Sequence, residues 1–205
     1  MKDKRYVRLL CAKHAYNPMK KLSELAVYSQ LLFSDQYGKR PDAKELSLWL
    51  GLDSRTAANA LETLEEMGLQ TNSKPRHPPS DWFLPNNNFE RKPDQHWRYC
   101  YSSWPCYILK PTSKLTFLSA ALYSWLLLHT KSKKPPVTAP AYLSRVLLCE
   151  RHTVNKLFDN LEANGIVVQG TVRVGHDFIL DNFEDSVGDS NKGRELTFEF
   201  AEVQQ

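Results

Sequence analysis

The sequence predicts a mainly α-helical protein with small β hairpins, an α+β chain built as two tandem domains by internal duplication. Three observations carry that prediction. Ser54 to Leu69, SRTAANALETLEEMGL, places Ala57, Leu61, Leu64 and Gly68 three to four residues apart, the apolar stripe of one amphipathic helix. Arg151 to Ile166, RHTVNKLFDNLEANGI, repeats the pattern, and ALYSWLLL at 121–128 echoes AVYSQLLF at 26–33. At an offset of 97, Leu46/Leu143, Ser47/Ser144, Leu50/Leu147, Thr56/Thr153, Leu64/Leu161, Glu65/Glu162 and Gly68/Gly165 are identical, 7 matches in 24 aligned positions at core and cap sites.

Taken in order, Tyr6-Val7-Arg8-Leu9 is a short β-favouring run, and His14 to Lys21 is a polar connection carrying Pro18. A helix is expected from Leu22, with Ser23 as its N-cap and Leu25, Tyr28 and Leu32 on its buried face. Tyr37-Gly38-Lys39-Arg40-Pro41 ends it. Asp42 with Glu45 three residues later is a capping box for a second, short helix bearing Leu46, Trp49 and Leu50. Gly51-Leu52-Asp53 turns the chain, and Asp53 or Ser54 caps the third helix. Short helix, tight turn, third helix and strand is the order of a winged helix-turn-helix, in which the third helix is the reader.

The second half repeats this order. Tyr107-Ile108-Leu109 is its short strand, Thr116 to His129 its first helix, and Lys131 to Pro136 a longer turn. After each third helix a strand-like segment follows, LQTNS at 69–73 and IVVQGTVRV at 166–174, with an alternating run later, WRYCYS at 97–102 and ELTFEF at 195–200. Each pair is read as a wing hairpin with a long tip. The first tip spans 74–95, with five prolines and three successive asparagines; the second spans 181–193 and is acidic. The expected domains are 1–103 and 104–205.

The chain carries a formal charge of +4 and a pI near 8.8. Residues 1–103 hold 16 Lys/Arg against 12 Asp/Glu, and residues 104–205 hold 11 of each. A polyanionic partner is compatible with this balance but not demanded by it. No run of 18 apolar residues suggests a membrane span, and the N-terminus lacks the apolar core of a secretory signal. Cysteines at 11, 100, 106 and 149 form no CxxC pair, so reduced thiols in a cytoplasmic protein are expected. His96, Cys100 and Cys106 lack a fourth metal ligand, which favours buried thiols over a metal site. Phosphate-loop, zinc-protease and serine-hydrolase motifs do not occur. No catalytic residue, metal or cofactor is expected.

A helix that reads DNA needs an apolar core face and a short, polar, hydrogen-bonding opposite face. In the first half that face carries Ser54, Arg55, Thr56 and Asn59, with Thr63 further along. In the second it carries Arg151, His152, Thr153, Asn155 and Lys156, with Asn160 further along. Arginine can bond guanine with two donors, asparagine can do the same to adenine, and hydroxyls reach phosphates or bases. Glu62, Glu65 and Glu66 would meet phosphate repulsion, which confines insertion to the first turns and makes the helix at 151–164 the stronger reader. A solvated helix face used for protein contacts is the competing reading. Around the first wing, Arg76, Arg91 and Lys92 suit backbone contact beside Trp82, Phe83, Phe89 and Trp97. Packing of Trp82, Trp97 and Trp104 on the protein itself is the other use of those rings. Lys133 and Lys134, ahead of the second helix-turn-helix, suit a phosphate contact or a solvated turn equally.

LSELAVYSQLLF together with SRTAANALETLEEMGL resembles the first- and third-helix signatures of bacterial winged-helix domains. Two such domains in one chain resemble the replication initiators of plasmids and phages. That resemblance implies a non-enzymatic protein that binds specific double-stranded DNA, acts in replication initiation or its control, and meets other replication or nucleoprotein-complex proteins. Transcriptional regulation through the same contacts, or an adaptor role in which the winged helices hold protein partners, are the alternatives. Because the two readers differ in sequence, an asymmetric site is expected.

Overall fold

A computed structural model describes residues 6–12, 17–35, 37–76, 82–84, 102–110, 115–130, 138–168, 171–172 and 179. Within them the chain is a mixed α/β protein of six helices and three two-stranded sheets. One order of elements occurs twice. The first half runs β1 (Tyr6–Leu10), α1 (Leu22–Asp35), α2 (Ala43–Leu50), α3 (Ser54–Glu66), β2 (Gln70–Thr71) and β3 (Lys74–Pro75). The second runs β4 (Ser103–Tyr107), α4 (Phe117–Thr130), α5 (Pro140–Val146), α6 (Arg151–Ala163), β5 (Val167–Val168) and β6 (Thr171–Val172).

The helix ends follow from local chemistry. Asp42 and Glu45 form the expected capping box on α2. The Asp53 carboxylate accepts from the Thr56 N–H at the start of α3. Helix α1 differs from expectation. Its first turn closes on the Lys21 carbonyl, and Glu24 reaches back to accept from the N–H groups of Lys20 and Lys21. Ser23 therefore lies inside the first turn, and the buried Glu24 does the capping. After α3, Gly68 takes a φ of 67°, Leu69 N–H bonds the Leu64 carbonyl and Gly68 N–H bonds that of Glu65. Gly165, Ile166 and Leu161 repeat this closure after α6, a glycine-dependent helix stop. Between α2 and α3, Gly51 is left-handed at φ 65°; its counterpart Leu148 holds φ 48° although it is not glycine.

The core runs through both halves. Helix α1 is buried almost all round, because β1 lies on one side of it and α3 and β3 on others. Tyr28 is fully buried, stacks on Phe83 at 6.2 Å and donates its hydroxyl to the Arg76 carbonyl. Trp104 is buried against Trp125, edge to face at 5.4 Å, so it packs on the protein.

Strand β4 begins at Ser103, earlier than the expected 107–109, and pairs antiparallel with β1 from Tyr6/Tyr107 to Leu10/Ser103. Pro105 hides this strand from a sequence reading, since proline cannot donate to a ladder. The bond from Cys11 N–H to the Ser102 carbonyl sets the phase. Arg8 and Pro105 form a non-hydrogen-bonded pair, where a missing N–H costs no rung. The expected domain boundary at 103/104 thus falls in the strand that joins the two halves.

A short hairpin follows the third helix of each half. Strand β2 pairs with β3 through a two-residue turn, Asn72-Ser73, both at positive φ (49° and 58°). Positive φ at both central residues gives the twist that antiparallel strands need. The partner of Gln70–Thr71 is Lys74–Pro75; the expected partner 97–102 lies, except for Ser102, outside the described residues. In the second half β5 likewise pairs with β6, and the expected partner 195–200 lies outside the described residues. A chain segment then returns to each half as a single bridge, Ala12 to Phe83 and Leu109 to Ile179. Phe83 and Ile179 are both fully buried, so this bulky apolar residue fixes the return. Residues 85–101 and 180–205, with most of the expected first tip and the whole second tip, lie outside the described residues. No described helix is long and apolar enough to cross a membrane.

Candidate nucleic-acid interface

Helix α3 buries Ala57, Ala60 and Leu64, and α6 buries Val154, Leu157 and Leu161. Spacings of three and four leave the opposite face outward on each. Ser54, Arg55 and Asn59 are exposed on α3; Arg151, His152, Asn155 and Lys156 are exposed on α6. Both faces therefore present short or basic donors over their first two turns. Glu62, Glu65 and Glu66 follow on α3, and Asp159 and Glu162 on α6, all exposed.

Several expected residues also bond within the protein. Thr56 is half-buried, and both its hydroxyl and its N–H bond the Asp53 carboxylate, so it belongs to the cap of α3. Those bonds, the hydroxyl's first, hold the exposed Asp53 carboxyl below the usual carboxylate range. Thr153 is half-buried, with its N–H bonded to the Glu150 carbonyl. Thr63 donates back to the Asn59 carbonyl within its own helix. Asn160 faces inward, its side-chain oxygen accepting from Ser119 of α4 at 3.2 Å. His152 Nδ1 lies 2.9 Å from the Glu150 carboxylate, with both side chains largely exposed.

A groove of about 750 Å³ is lined by Gly51, Asp53 and Thr56 from one half and by Leu148, Glu150 and Thr153 from the other. Lys21 and Phe117, at the starts of α1 and α4, also line it. Lys21 was legible only as part of a polar connection, because nothing in its local sequence shows that α1 begins beside the third helix. At the β2–β3 hairpin, Lys74 and Arg76 are exposed just after the Asn72-Ser73 turn. The Arg76 backbone is fixed by its N–H to the Leu69 carbonyl and by the Tyr28 hydroxyl. Arg91, Lys92, Lys133 and Lys134 lie outside the described residues.

The three described cysteines are not activated as nucleophiles. Burial pushes the Cys106 thiol up to about 12 and that of Cys11 up to about 11, which keeps both protonated and inert near neutrality. Burial, then the nearby Glu150 charge, raises Cys149 as well. Among the described residues no group of His, Cys, Asp and Glu has the geometry to hold a metal ion. Comparison with known proteins finds no family model that matches the chain, no curated protein similar to it, and no solved structure similar to it.

Proposed function

We propose that this chain is a non-enzymatic, sequence-specific double-stranded DNA-binding protein made of two tandem winged-helix domains, acting in plasmid- or phage-type replication initiation or its control. The observation that carries the proposal is the pair of exposed donor faces, Ser54, Arg55 and Asn59 on α3 and Arg151, Asn155 and Lys156 on α6. Their N-terminal turns border one groove. Each first turn is narrow enough for a major groove about 12 Å wide and carries the side chains that bond base edges. Lys74 and Arg76 on the wing are placed to neutralise flanking phosphates. The repeated element order, helix stops and strand returns support duplication of one winged-helix unit.

A second reading has its own observation. The exposed acids on the later turns of both helices would suit a basic protein partner, with the winged helices serving as adaptors. Duplex binding measured by fluorescence anisotropy over a range of salt separates the two. The DNA reading expects log K to fall steeply with log salt, by about 0.9 per phosphate neutralised. Arg151→Ala is expected to weaken binding to a preferred site by about 1–3 kcal/mol and relax base preference. Absence of duplex binding at low salt, or an unchanged affinity in Arg151→Ala and Lys156→Ala, would favour the adaptor.

A further inference from the structure

The ladder between β1 and β4 has an internal regularity. It runs antiparallel and its central pair is Arg8 with Pro105, two positions 97 apart. The same offset relates Leu10 to Tyr107. Their N–H groups point away from the ladder and bond the hydroxyls of Ser29 and Ser124, at 3.2 and 2.9 Å. It also relates Gly51 to Leu148, Asp53 to Glu150 and Gly68 to Gly165. A strand paired antiparallel with its own counterpart, and centred on two counterparts, is the product of a two-fold rotation through the ladder. A copy related by translation alone would not pair in this way. The groove obeys the same rotation, since Gly51, Asp53 and Thr56 line one side and their counterparts the other.

We infer that a single chain reads one DNA site whose two half-sites run in opposite directions, an imperfect inverted repeat with unlike arms and with its centre over the groove. The inference rests on the DNA-binding reading above. Readers related by a two-fold axis impose that axis on their half-sites, as two-fold dimers do on their operators. The arms are unlike because the counterparts differ, with His152 where the first half has Arg55 and Lys156 where it has Asn59. The order within each arm is also set. The first turns of α3 and α6 border the groove through Thr56 and His152, so Arg55, next to Thr56, and His152 face base pairs near the centre. Asn59 and Lys156, a turn further on, do not line the groove and face base pairs further out.

The test begins with selection of preferred duplexes from a random library by the full-length chain. Affinities of single-base variants of the selected site are then measured for wild type, Arg55→Ala, His152→Ala, Asn59→Ala and Lys156→Ala. Selected sites should show two unlike arms in inverted order. Arg55→Ala and His152→Ala should each lose discrimination beside the centre, and Asn59→Ala and Lys156→Ala at outer positions. With wild-type protein, reversing one arm in place should weaken binding about tenfold or more. This arm-reversal measurement does not depend on any variant folding. Arms selected as direct repeats, tolerance of the reversed arm, or Arg55 acting near the centre while His152 acts far from it would overturn the inference while leaving DNA binding intact. Failure to select any duplex would remove the DNA-binding reading, and the inference with it.

Discussion

Ser29 and Ser124 show how much one hydroxyl can decide. Each is fully or almost fully buried, each donates to a carbonyl one helical turn back, and each accepts an outward strand N–H. Ser29→Ala would leave the buried Leu10 N–H without its partner, at a cost of about 1–3 kcal/mol. Denaturant unfolding should register that loss as a lower midpoint with an unchanged slope; an unaltered midpoint would show that the bond contributes nothing. The serine was visible in the sequence as the shared polar residue inside AVYSQLLF and ALYSWLLL, but its strand partner was not, because the offset says nothing about which N–H groups lack a rung. Asn160 is the opposite case. Its spacing allows the outer face, yet Ser119 turns it inward. At Asp53 the folded carboxyl is held below its ordinary range by Thr56. The sign follows directly: the cap's contribution is present above the unfolded pKa and is lost as pH falls through the lower folded one. Thermal melts between pH 7 and pH 2 should therefore show a pH-dependent loss that is reduced in Asp53→Asn, whose amide oxygen still accepts from Thr56; identical pH profiles would remove Asp53 as a source.

At the scale of elements, helices were more legible than strands. The caps Asp42, Glu45 and Asp53 and the stops Gly51, Gly68 and Gly165 mark boundaries by local chemistry, and α2 and α3 follow them closely. Strand pairing depends on contacts remote in sequence, so the short β2–β3 hairpin is not legible in it. Pro75 disguises β3 and Pro105 disguises β4, while Asn72-Ser73 lacks the glycine that signals a tight hairpin. The turn nevertheless requires positive φ at both residues. Ser73 bears a side chain in a left-handed conformation that costs an L-residue roughly 1–2 kcal/mol. Its N–H, which bonds the Gln70 side chain, would survive replacement by glycine. Ser73→Gly is thus expected to stabilise the hairpin by about 0.5–1 kcal/mol, read as slower amide exchange at Thr71. Faster exchange there would mean that the serine side chain, and not the backbone, holds the turn.

For the whole molecule the decisive feature is that the two halves share a sheet. Two separately folded domains on a linker would move independently by default. Here β1 packs on α1, β4 packs on α4, and the strands pair with each other along their full length, so neither half completes its core edge alone. That coupling is what would hold α3 and α6 at a fixed separation and angle, which a composite DNA site needs and a flexible tether cannot give. Leu9 tests it. It is fully buried in β1 and lies opposite Trp104, and its truncation to alanine should cost about 2–5 kcal/mol. If the ladder makes one cooperative unit, Leu9→Ala lowers protection from hydrogen exchange in α6 as well as in α3, by the same free energy. The loss reaches α6 through Trp104, which packs edge to face on Trp125 of α4, and α4 in turn packs on α6. A substitution that loosens α3 while α6 keeps its full protection would show two independent units. On the DNA-binding proposal, α3 and α6 would then be positioned by the DNA and not by the protein.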